Sequence, residues 1–224
     1  MREDSGFARE RRIAGAAGIL FAALSLIVVP LSPEIGPPLG ANADEIAGYF
    51  LRHRAGFLLG NYLGIAAFLP GFIQLVIVSS WIRRREDPHA WQGHLVRATG
   101  TFAYAVGAVV LILFQVVPFL VEGEGRIGML GLASLANVAF SLFVLAAMPL
   151  LASLGWATLV TGVFPRWFGY ASLACALGAI FVSLGALMTE PRWLAAGGLA
   201  TGVGFFGFFL WTFVLALLSF RKKT

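Results

Sequence analysis

Charge is what this sequence has least of. Only 12% of its 224 residues are charged, about half the share found in ordinary soluble domains. A soluble fold of this length needs a polar surface that these residues cannot supply, and the mean hydropathy of +0.86 agrees. Cysteine is nearly absent too. Cys175 stands alone inside an apolar run, which excludes a disulfide within the chain and leaves no basis for a thiolate metal site.

The third absence is chemical. No Asp, Glu, Lys, Arg or His lies in the middle of any long apolar run. Proton relays, ion-coupled carriers and voltage sensors need ionisable groups at depth. A retinal protein needs a lysine there, and a haem b protein ordinarily uses histidines. An intramembrane protease needs a paired acid, a Ser-His pair or zinc ligands. None of these reactions is expected of this chain, and no catalytic residue, cofactor or metal is assigned. His89 and His94 share a loop with Glu86 and Asp87, but their spacing fits no zinc pattern. They read as solvated loop residues, with His53 on the opposite side.

What remains is apolar, 59% of the chain, in continuous runs of about 20 residues or more. Lipid is the natural solvent for such a chain. There the backbone must satisfy its own hydrogen bonds, so helices or a closed barrel are the choices. The runs do not alternate as barrel strands do. The expected fold is therefore all-α, a single transmembrane domain of six spans at about 13–31, 55–82, 96–121, 127–151, 167–188 and 193–220. A loop helix is expected at about 43–54, with Asn42 and Glu45 forming a capping box. Whether it lies on the membrane or extends span two is open. Pro70-Gly71 is expected to break span two. Ala41-Asn42-Ala43 resembles a signal-peptide cleavage site, but it lies beyond three prolines and far past the first apolar run.

The stretch 127–165 is ambiguous, having 39 residues and no charge. Charge asymmetry separates the alternatives. Six spans with both termini cytoplasmic place 12 Lys and Arg inside and 4 outside, whereas a seventh span gives 9 and 7. The positive-inside rule selects six, with span four long, tilted or kinked at Pro149. The same asymmetry accounts for the net charge of +5, so nucleic acid is not an expected partner. The lipid bilayer is, with a second copy or another membrane protein as a further candidate.

Three groups of residues stand out. Gly56, Gly60, Gly64, Ala67 and Gly71 give span two a small face on which helix backbones approach closely. The face reads chiefly as packing, with a homodimer seam or a sliding gate as the functional alternative. Gly198-Gly202 and Ala200-Gly204 repeat this weakly in span six. Asn61, Gln74, Gln115, Asn137 and Ser141, with Tyr104 and Ser134, are the polar groups within spans. They are expected to point inward, either bonding helix to helix or lining a small polar pocket. Arg166-Trp167 and Arg192-Trp193, each after a proline, read as interfacial anchors.

Asp44-Glu45-Ile46-Ala47-Gly48-Tyr49-Phe50-Leu51, Trp81-Ile82 before a basic run, and Phe164-Pro165-Arg166-Trp167-Phe168-Gly169 together carry a likeness. In these segments the chain resembles an uncharacterised group of multi-pass bacterial membrane proteins, common in actinobacteria, over about residues 13–220. The resemblance implies a cytoplasmic-membrane protein with no assigned reaction and brings no catalytic residues. The residues themselves support two expectations: from the small face of span two, a non-enzymatic packing or assembly component of a membrane complex or homo-oligomer, and as the alternative a binder or facilitator of a small neutral or lipophilic molecule through the polar Asn/Gln/Ser interior.

Overall fold

The structure, a computed structural model, describes residues 5–31, 42–87, 89–120, 126–187, 194 and 199–221. Every regular element among them is helical: α1 (Ser5–Leu31), α2 (Ala43–Arg83), α3 (Gln92–Val116), α4 (Arg126–Thr161), α5 (Arg166–Ser183) and α6 (Leu199–Phe220), with short 3₁₀ turns after α3 and α5. Five helical stretches are long and apolar enough to cross a membrane: Asp44–Arg83, Gln92–Phe119, Gly131–Thr161, Arg166–Ser183 and Leu199–Phe220. The helix α1 falls outside that set.

The loop helix and span two are one helix. Asn42 Oδ1 accepts from the Glu45 amide at 2.9 Å, and the Glu45 carboxylate accepts from the Asn42 amide at 3.1 Å. From that box α2 runs 41 residues, about 60 Å at 1.5 Å per residue. Pro70 does not break it, contrary to the reading of the sequence. Proline removes one helical hydrogen bond, but Pro70 is buried and the turns around it are held by neighbours. A Cβ on Gly71 would meet Phe21 of α1 and the Tyr104 hydroxyl of α3.

The stretch 127–165 holds one helix, not two. α4 spans 36 residues with Pro149 inside it. It ends at Gly162, whose φ of 58° is the left-handed value that favours glycine. The Gly162 amide donates back to the Thr158 carbonyl at 2.9 Å, and Pro165 then opens α5.

Neighbouring helices run antiparallel, and their contacts fix the register. Phe57 meets Phe114, Gly64 faces Leu111, and Gly100 faces Leu75 between α2 and α3. Phe114 meets Phe140, and Thr99 lies 2.9 Å from Ser153 between α3 and α4. Helices α1 and α6 pair through Gly15 against Phe220 and Gly18 against Ala216. The mid-level core is aromatic: Phe21 packs against Phe68, Tyr104, Phe208 and Phe209. The arrangement closes unevenly, since α5 packs extensively on α4 and only lightly on α6.

One end of the bundle carries an ion pair. Arg84 bonds Glu10 through both guanidinium nitrogens at 2.7 and 2.9 Å, and Trp81 Nε1 donates to the same carboxylate. The Arg84 hydrogen bond holds the Glu10 carboxyl below its usual range; burial pulls the other way, and the Trp81 hydrogen bond and the Arg84 charge add to the lowering. A lowered carboxyl contributes stability above its unfolded pKa and loses it as pH falls through the folded value. Glu10→Gln is therefore expected to cost under ~1 kcal/mol at neutral pH, because the pair is partly exposed. It should also remove one component of acid destabilisation, read by thermal unfolding at pH 7 and pH 4.

Candidate functional site

The small face of α2 is engaged within the protomer. Gly60, Ala67 and Gly71 are buried, and Gly56 and Gly64 are half-buried. A Cβ on Gly71 would lie 2.8 Å from Tyr104 Oη, and one on Gly64 would lie 3.0 Å from Leu111. These residues set the spacing of α1, α2 and α3.

The expected polar set divides. Asn61 lies between Phe57 and Gly64, whose partners on α3 are Phe114 and Leu111. Asn137 lies one turn before Phe140, which also meets Phe114. Asn61, Gln115 and Asn137 thus occupy one level of the bundle. Ser141 is one turn deeper, with its hydroxyl 3.2 Å from that of Thr201. Gln74 is elsewhere, about 20 Å along α2 from Asn61, packed against Gly18 and near Ala216. Asn61, Gln74, Asn137 and Ser141 are buried, and Gln115 is half-buried. Among the described residues, Asn61 Nδ2, Gln74 Nε2 and Gln115 Oε1 have no hydrogen-bond partner. Ser134 departs from the inward orientation expected of it and is exposed. It lies about 10 Å beyond Ser141 along α4.

Arg166 and Trp167 are exposed at the start of α5. Arg192 and Trp193 lie outside the described residues, as does Gly198. The loop acids act locally: Glu86 accepts from the Gly93 amide at 2.9 Å and Asp87 from the His89 amide at 3.2 Å.

One further site was not among the sequence expectations. A cleft of about 230 Å³ lies between α4, α5 and α6. Its origin is a wedge. At the base of α5, Gly155 and Gly169 bring two backbones together, since a Cβ on Gly155 would sit 2.9 Å from the Gly169 carbonyl oxygen. One turn further, Trp211 Nε1 donates to Ser172 Oγ at 2.8 Å and ties α5 to α6. Beyond that tie the two helices part. They meet again near Gly204, where a Cβ would lie 3.2 Å from both Val144 and Val182. Gly204 precedes Trp211 by seven positions of α6, about 10 Å of helix.

In that interval the walls are small. A Cβ on Gly178 or Gly207 would meet nothing within 4 Å. Val144, Ala147 and Leu151 form the floor. Cys175, Gly178, Val203 and Gly207 are exposed at the mouth. The wall is apolar apart from the Cys175 thiol and the Trp211 N–H, which Ser172 already accepts. Trp211 is further held between Phe168 and Phe208, both stacked on it at 5.7 and 5.9 Å. None of the predicted polar residues lines the cleft. A sequence signal for it exists: Cys175, Gly178, Ala179 and Val182 recur at helical spacing, but small residues at that spacing ordinarily mean packing.

The tie is open to test. Ser172 also donates to the Phe168 carbonyl at 2.8 Å, so Ser172→Ala removes that bond together with the acceptor of the buried indole. It is expected to cost about 1–2 kcal/mol, seen as a lower unfolding temperature in detergent; an unchanged value contradicts the tie.

Such a cleft can hold a lipophilic group, and among its lining residues Cys175 alone carries an ionisable side chain. Comparison with protein-family models, curated proteins and solved structures found no match.

Proposed function

We propose that this chain is a six-span protein of a bacterial cytoplasmic membrane, with both termini cytoplasmic, and that it holds a lipophilic molecule in the α4–α5–α6 cleft without catalysing a reaction on it. The observation that carries the binding reading is the cleft itself: apolar, closed at both ends by Trp211 and Gly204, and open to the side in the middle. In a bilayer that side faces acyl chains. At about 230 Å³ it exceeds the roughly 150 Å³ apolar cavity known to admit benzene, and it falls below the roughly 300 Å³ at which sites for drug-sized ligands begin. A single chain or ring fits better than a bulky ligand.

The topology is supported by the charge asymmetry of 12 against 4. It is also supported by Arg11 of α1, which donates to the carbonyls of Ser219 and Phe220 at the end of α6, so the two terminal helices share one end of the bundle. The proposal includes the family likeness, which rests on the sequence segments 44–51, Trp81-Ile82 with the basic run after it, and 164–169.

A second reading is assembly, with a helix of a partner or a second copy seated in the cleft. It is favoured by Gly178 and Gly207, since open glycines permit close backbone approach. Native mass spectrometry of the protein released gently from its own membrane separates the two. A reproducible added mass of a few hundred daltons supports the bound molecule. A homo-oligomer or a second polypeptide without small-molecule mass supports assembly and sinks the first reading.

A further inference from the structure

The cytoplasmic end of the bundle holds a second cavity, unlike the first in character. It measures about 40 Å³, roughly three times what one water needs and room for one tetrahedral anion. Three guanidinium groups line it: Arg11 from α1, Arg85 just past α2, and Arg221 just past α6. Phe7, Trp81, Val163, Phe164 and Leu218 make its apolar walls. We infer that this pocket is a binding site for a phosphate group, and specifically for the headgroup phosphate of an anionic phospholipid of the adjoining leaflet.

The charges must first be weighed against a simpler role. Arginines near helix C-termini stabilise the last carbonyls, and two of these do. Arg11 donates to Ser219 at 3.4 Å and to Phe220, and Arg85 donates to the Gly162 carbonyl at 3.1 Å beyond the end of α4. Each of the two helix ends offers about half a negative charge, so three guanidinium groups leave an excess of about +2. Among the described residues no carboxylate neutralises it, for none of the three forms a salt bridge. Glu10, adjacent to Arg11 in sequence, is bound to Arg84 and Trp81, and Glu86 is bound to Gly93.

Donors are also in excess. A guanidinium has five N–H groups, of which Arg11 commits two here and Arg85 one. Arg221 makes no side-chain bond among the described residues. The forked geometry suits phosphate oxygens. The lipid is preferred to a free anion because five apolar side chains wall the pocket at the level where the helices end. This choice of source rests on the proposed membrane topology, whereas the phosphate specificity does not.

The full-length protein in neutral detergent is titrated with short-chain phosphatidylglycerol, short-chain phosphatidylcholine and inorganic phosphate, with binding read by native mass spectrometry. Phosphatidylglycerol is expected to bind in preference to phosphatidylcholine, and inorganic phosphate to compete with it at higher concentration. Arg221→Gln, which removes no bond to a helix end, is expected to weaken phosphatidylglycerol roughly fivefold, with Arg221→Lys recovering part of the loss. Equal binding of the two lipids, or no change in Arg221→Gln and Arg85→Gln, overturns the site. Inorganic phosphate binding as tightly as the lipid overturns the lipid assignment. Side-specific labelling of the termini reports independently on the topology, and a failure there leaves a lipid-selective pocket standing and moves it to the other leaflet.

Discussion

Gly155→Leu is expected to cost about 3 kcal/mol or more and to detach α5 from α4, the largest loss of stability we anticipate from one substitution. The reason is the kind of atom that stands in the way. At most close glycines a new Cβ meets the end of a side chain, such as Leu75 at Gly100, that can turn aside. At Gly155 it meets the Gly169 carbonyl oxygen at 2.9 Å and Leu173 Cγ at 3.0 Å; at Gly169 it meets Leu159 at 2.8 Å and the Gly155 carbonyl oxygen at 3.1 Å. Neither backbone can give way without moving its helix. Overpacking ordinarily costs about 1–3 kcal/mol, and here it falls on the most extensive contact between any two helices of the bundle. Gly155→Ala should show the smaller part, about 1 kcal/mol. Thermal unfolding in a fixed detergent measures both. An unfolding temperature for Gly155→Leu equal to that of the wild type contradicts the close approach of α4 and α5.

Gly207→Trp is expected to do the opposite. Its Cβ meets nothing within 4 Å, so the indole enters the cleft without displacing a helix, and the unfolding temperature should hold or rise. The guest should be lost. A reduction of at least about tenfold in bound molecule, equivalent to 1.4 kcal/mol, is expected in native mass spectra. Gly178→Leu, from the facing wall, should act in the same direction. A variant that keeps the full adduct places the guest elsewhere on the protein. One that loses it by unfolding is recognised by its lowered unfolding temperature.

These two glycines show how far the sequence can be read. Both sit in apolar helices among other small residues, and nothing local distinguishes the one that touches a backbone from the one that faces open space. The distinction arises where α5 and α6 diverge, and that divergence is set by Gly155–Gly169 at one point and Trp211–Ser172 at another. Composition and run length were enough for helical class and for helices able to cross a membrane. They were not enough for the course of α2. Pro70 reads as a break because proline costs a helical bond, but Phe21 and Tyr104 pack against the next turn and hold the helix through it. Asn137 and Ser141 point inward as polar groups in lipid must. Ser134 lies on nearly the same helix face and is exposed. The polar residues also share no single site: Gln74 stands about 20 Å along the same helix from Asn61, a separation clear from their numbers only once α2 is known to be continuous.

The measurement that bears most directly on the central claim is photolabelling in native membranes with a diazirine-bearing fatty acid, mapped by peptide sequencing. The exposed apolar face of α3, with Phe102, Val109 and Ile112, is the internal reference for ordinary contact with lipid. Label concentrated on Cys175, Gly178, Val203 and their neighbours, well above that reference and reduced by Gly207→Trp, is the predicted result. Label spread evenly over α3, α5 and α6, and indifferent to Gly207→Trp, would contradict it.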